Sequence, residues 1–180
     1  SANAKSLRQR GFAPRAVDKF GHDPKYPVTN NWTHLERQLV DYLDHEVDRP
    51  AYLVGHSMGG YLSLMAASSR PDKCKGVILL DALYGDEDKF ADWIARERRQ
   101  AFLFSAHTDS TRDEHANLQG LLDKKRVPYS RSLPTALTPG TVAFVFQPAE
   151  EGGGGKDYFV QAGLFKDVSV TLYWHPADAN

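Results

Sequence analysis

The chain has 180 residues, of which 41% are hydrophobic and 25% charged, with a formal net charge of −1. That is the length of one domain and the balance of a folded globular chain, which excludes a disordered or fibrous protein. The charge offers no basic footprint for nucleic acid, no apolar run approaches the roughly 18 residues of a membrane helix, and the opening residues SANAKSLRQRGF lack the apolar stretch of a secretory signal, so a soluble, cytoplasmic chain is expected.

Thr33 opens THLERQLVDYLDHEV, where Glu36 completes a capping-box pattern and Leu35, Leu39, Leu43 and Val47 form one apolar stripe. The pattern predicts a helix that Pro50 ends. AYLVG then reads as a short buried strand, followed by an apolar-rich helix through Ala67 that stops at Pro71. The lone cysteine, Cys74, excludes an internal disulfide and reads as structural. GVILLDA, from Gly76 to Ala82, is a second buried strand.

YGDEDKFADWIARERRQ predicts a solvated helix with Phe90, Trp93 and Ile94 on its inner face. AFLFSA is a third strand, and TRDEHANLQGLLDKK a helix with Leu118, Leu121 and Leu122 inward. TVAFVF, Thr141 to Phe146, is a fourth strand and VSVTLYW, Val168 to Trp174, a fifth. Alternating strands and helices imply a single α/β domain over residues 1–180, with a mostly parallel sheet flanked by helices and covered on both faces.

The stretch YLVGHSMGGYLSLMAA places Gly55-x-Ser57-x-Gly59 between a strand and a helix. This is the physical recipe for a nucleophile elbow. A serine on so tight a turn needs glycines on either side, because a β-carbon there would clash with neighbouring backbone. The serine oxygen is then held at a helix N-terminus, where the backbone N–H of Met58 helps bind an oxyanion.

GFAPRAVDKFGHDPKYPV, GHSMGGYLSLMAA and RPDKCKGVILLDA together resemble the α/β-hydrolase family, in its esterase and lipase branch, from about residue 7 to 83 and onward to Phe146. The resemblance implies a truncated three-layer α/β sandwich with Ser57 as nucleophile, an acid after a later strand and a histidine after the last. Asp109 suits the acid position, with Asp81 a second choice. The loop after TVAFVF reads QPAEEGGGGKD and holds no histidine, so His175 serves as base only if the C-terminal segment reaches the elbow. His56 is structural in this family, and His107 and His115 read as surface residues. The family's other oxyanion segment would precede Ser1.

FQPAEEGGGGKDYFVQAGLFKDVSVTLYWHPADAN, Phe146 to Asn180, is similar to the metal-dependent aminoacylase and amidohydrolase family, in its aminobenzoyl-glutamate-hydrolase branch. That resemblance implies Glu150 as general base toward a metal-bound water, with Glu151 and His175 as ligands to zinc or another divalent metal. Upstream, His107 and Asp109 in SAHTDS are the nearest candidates for further ligands.

Three readings follow. The first is a serine hydrolase acting on an ester or small acyl substrate without a cofactor. The second is a metal-dependent amidohydrolase or peptidase using Glu150, Glu151 and His175. The third is a folded, catalytically inactive chain, chimeric or designed, that joins parts of two catalytic plans. The expected partner is a small-molecule ester or amide, and neither nucleic acid nor membrane.

Overall fold

From Ala51 to Phe146 short apolar runs alternate with helical segments, amphipathic at Glu87–Glu97 and Arg112–Lys124 and apolar nearly all round at Gly59–Ser69. A computed structural model describes residues 8–9, 13–15, 17, 20–56, 59–147, 159, 161–164 and 170–174. The strands are β1 (Ala13–Arg15), β2 (Ala51–His56), β3 (Cys74–Leu80), β4 (Phe102–His107), β5 (Val142–Phe146) and β6 (Val170–Trp174). The helices are α1 (Thr33–Glu46), α2 (Gly59–Ser69), α3 (Glu87–Glu97) and α4 (Arg112–Lys124), with 3-10 turns at Pro71–Lys73 and Asp109–Thr111.

All six strands form one sheet in the order β1-β6-β2-β3-β4-β5, and every pairing in it is parallel. The outer side of β5 is met by Ser130, whose N–H donates to the Val142 carbonyl at 2.8 Å while its carbonyl accepts from Phe144 N–H at 2.9 Å. That pairing satisfies groups an open edge would leave bare.

Side chains alternate cleanly across the sheet, as a period of two requires. Leu53, Val77, Leu79, Leu103 and Phe144 pack with Leu39 and Leu43 of α1, Leu62 of α2, Phe90, Trp93 and Ile94 of α3, and Leu118 and Leu122 of α4. Tyr52, Val54, Ile78, Leu80, Phe104 and Ala106 face the other way, against Leu137, Phe159 and Leu164. Each such fully buried side chain stabilises the fold by roughly 1.5–3 kcal/mol.

The expected parallel α/β sheet is therefore present, and both faces are covered. Helices α1 to α4 share one face because β2, β3, β4 and β5 advance across the sheet in one direction, and right-handed crossovers then put each connection on the same side. Among the described residues the opposite face is covered by Leu133 and Leu137 of the segment before β5 and by the helical Phe159 with Leu164.

Two local expectations differ. α1 begins at Thr33 as its pattern predicts, but its N-cap is Trp32, in the left-handed region at φ 66°, with no side-chain cap bond. Glu36 accepts a hydrogen bond from the Ser69 hydroxyl of α2 at 2.9 Å, so tertiary contact has taken the partner the capping box would use. β1, only three residues long, has no signal in the sequence and exists through its pairing with β6.

Candidate active site at the C-terminal edge of the sheet

In an open parallel sheet, ligands bind outside the carboxyl ends of the strands. At that edge β2 ends at His56 and α2 starts at Gly59, so only Ser57 and Met58 link strand to helix. The reversal is tight. A β-carbon on Gly55 would lie 2.6 Å from the backbone of Gly59 and Gly60, and one on Gly60 would lie 1.9 Å from the Ala82 carbonyl oxygen. Glycine is required at both positions by close backbone approach, as the elbow pattern predicts for Gly55. Ser57 and Met58 themselves lie outside the described residues, as do Glu150, Glu151 and His175.

Topology nonetheless brings the segments that carry two of these residues together. β6 pairs with β2 in the register Tyr52 with Thr171, Leu53 with Leu172, Val54 with Tyr173 and Gly55 with Trp174. Trp174 directly precedes His175, and Gly55 stands two residues before Ser57. The segment carrying Glu150 and Glu151 follows β5, which β2, β3 and β4 separate from β6.

The two candidate acids are used differently. Asp81, just past β3 and itself at φ 49°, is buried. Its Oδ1 accepts from Thr108 N–H at 3.2 Å, the Thr108 hydroxyl at 2.9 Å and the Thr111 hydroxyl at 2.7 Å. Asp109 lies between those two threonines, on the 3-10 turn after β4, with its side chain 76% exposed and ion-paired to Arg112. Asp81 thus clamps the turn that presents Asp109 at the edge.

His107 and His115 correct the surface reading. His107, at the end of β4, is half-buried, and its ring lies 4.6 Å from that of His115, which is 1% exposed. His115 Nδ1 is 2.6 Å from the Thr111 carbonyl and Nε2 is 2.6 Å from Ser105 Oγ. A carbonyl only accepts, so Nδ1 carries the proton and Nε2 accepts from the Ser105 hydroxyl. Burial, with the neighbouring His107 adding to it, depresses the His115 pKa to about 4. Burial also lowers that of His107. Ser105 and His115 have the contact of a hydrolytic pair, but neither reaches solvent, so the pair is structural. The signal was there to read, since His115, Leu118 and Leu122 share one helical stripe.

Cys74 is buried and its thiol is pushed up to about 12 by desolvation, in line with a structural role. Among the described residues, no three His, Cys, Asp or Glu side chains converge on a position for a metal ion. No helix among them is long and apolar enough to cross a membrane. Beside the first turn of α2, Trp32, Tyr61, Ala82, Tyr84, Asp86 and Phe90 line a cleft of about 300 Å³.

Known proteins of two kinds resemble parts of this chain. The alpha/beta hydrolase fold family matches residues 12–126. Lipase LipV of Mycobacterium tuberculosis is 37% identical over 68 residues, 37% of this chain and 26% of that protein. The monoglyceride lipase of Rattus norvegicus is 30% identical over 87 residues, 44% of this chain and 29% of that protein. A p-aminobenzoyl-glutamate hydrolase of Escherichia coli is 54% identical over 37 residues, 21% of this chain and 8% of that protein. The chain thus spans less than a third of the length of these relatives. No solved structure matches.

Proposed function

Because the chain belongs to the α/β hydrolase fold family, we propose that it is a serine hydrolase that cleaves an ester or small acyl substrate with Ser57 as nucleophile. The observation that carries this reading is the β6–β2 register, which aligns the residue before His175 with the residue two before Ser57. No histidine occurs in the loop after β5, and β6 supplies an alternative route for one to the elbow.

In this mechanism His175 takes the proton of Ser57 Oγ as the oxygen attacks the substrate carbonyl carbon. The N–H of Met58, the residue before α2, donates to the oxyanion. The proton passes to the departing alcohol, and water then releases the acyl group with Ser57 restored. Asp109 holds the imidazolium, and Asp81 acts through it as a positioning residue by fixing Thr108 and Thr111 on either side. No cofactor takes part.

The test is fluorophosphonate labelling of the purified chain with and without a zinc chelator, read by intact mass. Labelling that the chelator leaves unchanged and Ser57→Ala removes is the expected result. Absence of labelling would reject the serine reading.

A second reading is favoured by the match to the p-aminobenzoyl-glutamate hydrolase. Here Glu151 and His175 hold a divalent metal such as zinc, which supplies Lewis acidity, and Glu150 acts as base. In this reading the segment after β5 would have to reach toward the end of β6, four places away in the sheet. Amidase activity lost to a chelator and to Glu150→Gln would support it.

A further inference from the structure

The cleft beside the first turn of α2 has a composition that the nucleophile reading leaves unused. Trp32 comes from the start of α1, Tyr61 from the first turn of α2, Tyr84 and Asp86 from the β3–α3 loop, and Phe90 from α3. Every one of these elements meets the same sheet edge. Tyr61 stands four residues after Ser57, and the loop that supplies Tyr84 is pressed onto α2 where Gly60 meets Ala82.

Two observations separate this cleft from an incidental surface hollow. Trp32 and Tyr84 are 40% and 55% exposed, among the few large apolar side chains the described residues leave open to solvent, and both line the cleft. Its rim also carries unusual backbone. Four described non-glycine residues have positive φ, and two of them, Trp32 at 66° and Asp86 at 58°, line the cleft, while a third, Asp81, begins the loop that forms its wall. A tryptophan in the left-handed region persists only where its surroundings over-determine it, and such residues cluster at ligand sites.

The chemistry of the lining selects the ligand. Four aromatic rings give an apolar surface. The one carboxylate, Asp86, is already neutralised by Lys89 at 2.6 Å, and that ammonium also lies 5.5 Å from the centre of the Tyr61 ring. The lining thus presents a paired charge that favours neither sign. A volume of about 300 Å³ is twice the roughly 150 Å³ that takes up one benzene, enough for a ring and a short tail. We infer that this cleft binds an uncharged aryl or short alkyl group, and that this group is the apolar part of the ester Ser57 attacks. The second clause rests on the serine reading; the first does not.

The two parts are tested apart. Ser57→Ala protein is titrated with benzyl alcohol and, separately, with choline chloride, following tryptophan fluorescence and heat. Benzyl alcohol is expected to saturate, to bind about tenfold more weakly when Tyr84→Ala is added, and to regain affinity with Tyr84→Phe. Tyr84 is half exposed on a loop, so circular dichroism should be unchanged. Unaltered affinity in Tyr84→Ala, or tighter binding of choline than of benzyl alcohol, would overturn the assignment. With Ser57 intact, Tyr84→Ala should lower the kcat/KM ratio of a phenylacetate over an acetate ester about tenfold. Saturable benzyl alcohol binding with no hydrolysis of either ester would reject the serine reading and keep the cleft.

Discussion

Trp174 stands in register with Gly55 across the parallel pairing of β6 with β2. Two strands far apart in sequence therefore end side by side, one running into His175 and the other into Ser57. Replacing His175 by alanine should slow fluorophosphonate labelling of Ser57 by about 10²–10⁴-fold, the usual worth of a positioned general base. Replacing His107 should slow it far less. Loss on replacing His107, with labelling unchanged on replacing His175, would mean that the base comes from β4.

Gly55→Ala tests how closely β2 and the start of α2 approach. Its β-carbon would meet backbone atoms at 2.6 Å, and backbone cannot rotate away as a side chain can. The cost should reach or exceed the upper end of the ~1–3 kcal/mol seen on overpacking, visible as a lower urea midpoint with unchanged slope. An unchanged midpoint would contradict the close approach.

Asp81 and Asp109 should separate stability from reactivity. Asp81→Ala strands the buried Thr111 hydroxyl and removes an acceptor of three hydrogen bonds, for a loss of about 3 kcal/mol. Asp81→Asn keeps an acceptor oxygen and tolerates the positive φ, so it should cost about 1 kcal/mol. Asp109→Asn, on an exposed side chain, should stay within about 0.5 kcal/mol yet slow labelling. Thermal unfolding and labelling rates on the three variants check this order.

Stability should fall in acid through His115. Its folded pKa of about 4 lies below the ordinary value of 6.5, so between those limits the unfolded chain binds more protons than the native one. The contribution is complete above pH 6.5 and is lost as pH drops toward 4, where it levels off. The shift corresponds to about 3 kcal/mol. Urea midpoints at pH 7 and pH 4 should therefore differ less in His115→Leu than in the parent, whatever the variant's absolute stability.

Much of this was legible in the chain itself. The stripe of Leu35, Leu39, Leu43 and Val47 marked α1, and the apolar runs on either side of Ser57 marked the strand β2 and the helix α2, which approach so closely that Gly55 must lack a side chain. Local period carries that information. What was not legible depends on distant partners. Glu36 bonds to Ser69 rather than to its own helix start, and His115 is buried through Ser105 and Thr111. The gathering of Trp32, Tyr61, Tyr84 and Phe90 follows from four separate elements and has no sequence pattern. Nor does any local signal say that the last strand joins between the first two.

That insertion has a consequence for how the chain acquires its shape. During synthesis β2, β3, β4 and β5 emerge in an order that lets each pair with a neighbour already made, but the second flank of β2 waits for residues 170–174. Until they arrive, β2 presents an open ladder of N–H and C=O groups, and β1 lacks the strand it pairs with among the described residues. Closing so long a loop is slow. The same late strand that leads toward His175 is therefore also the one whose delay leaves the nascent protein open to pairing with another chain.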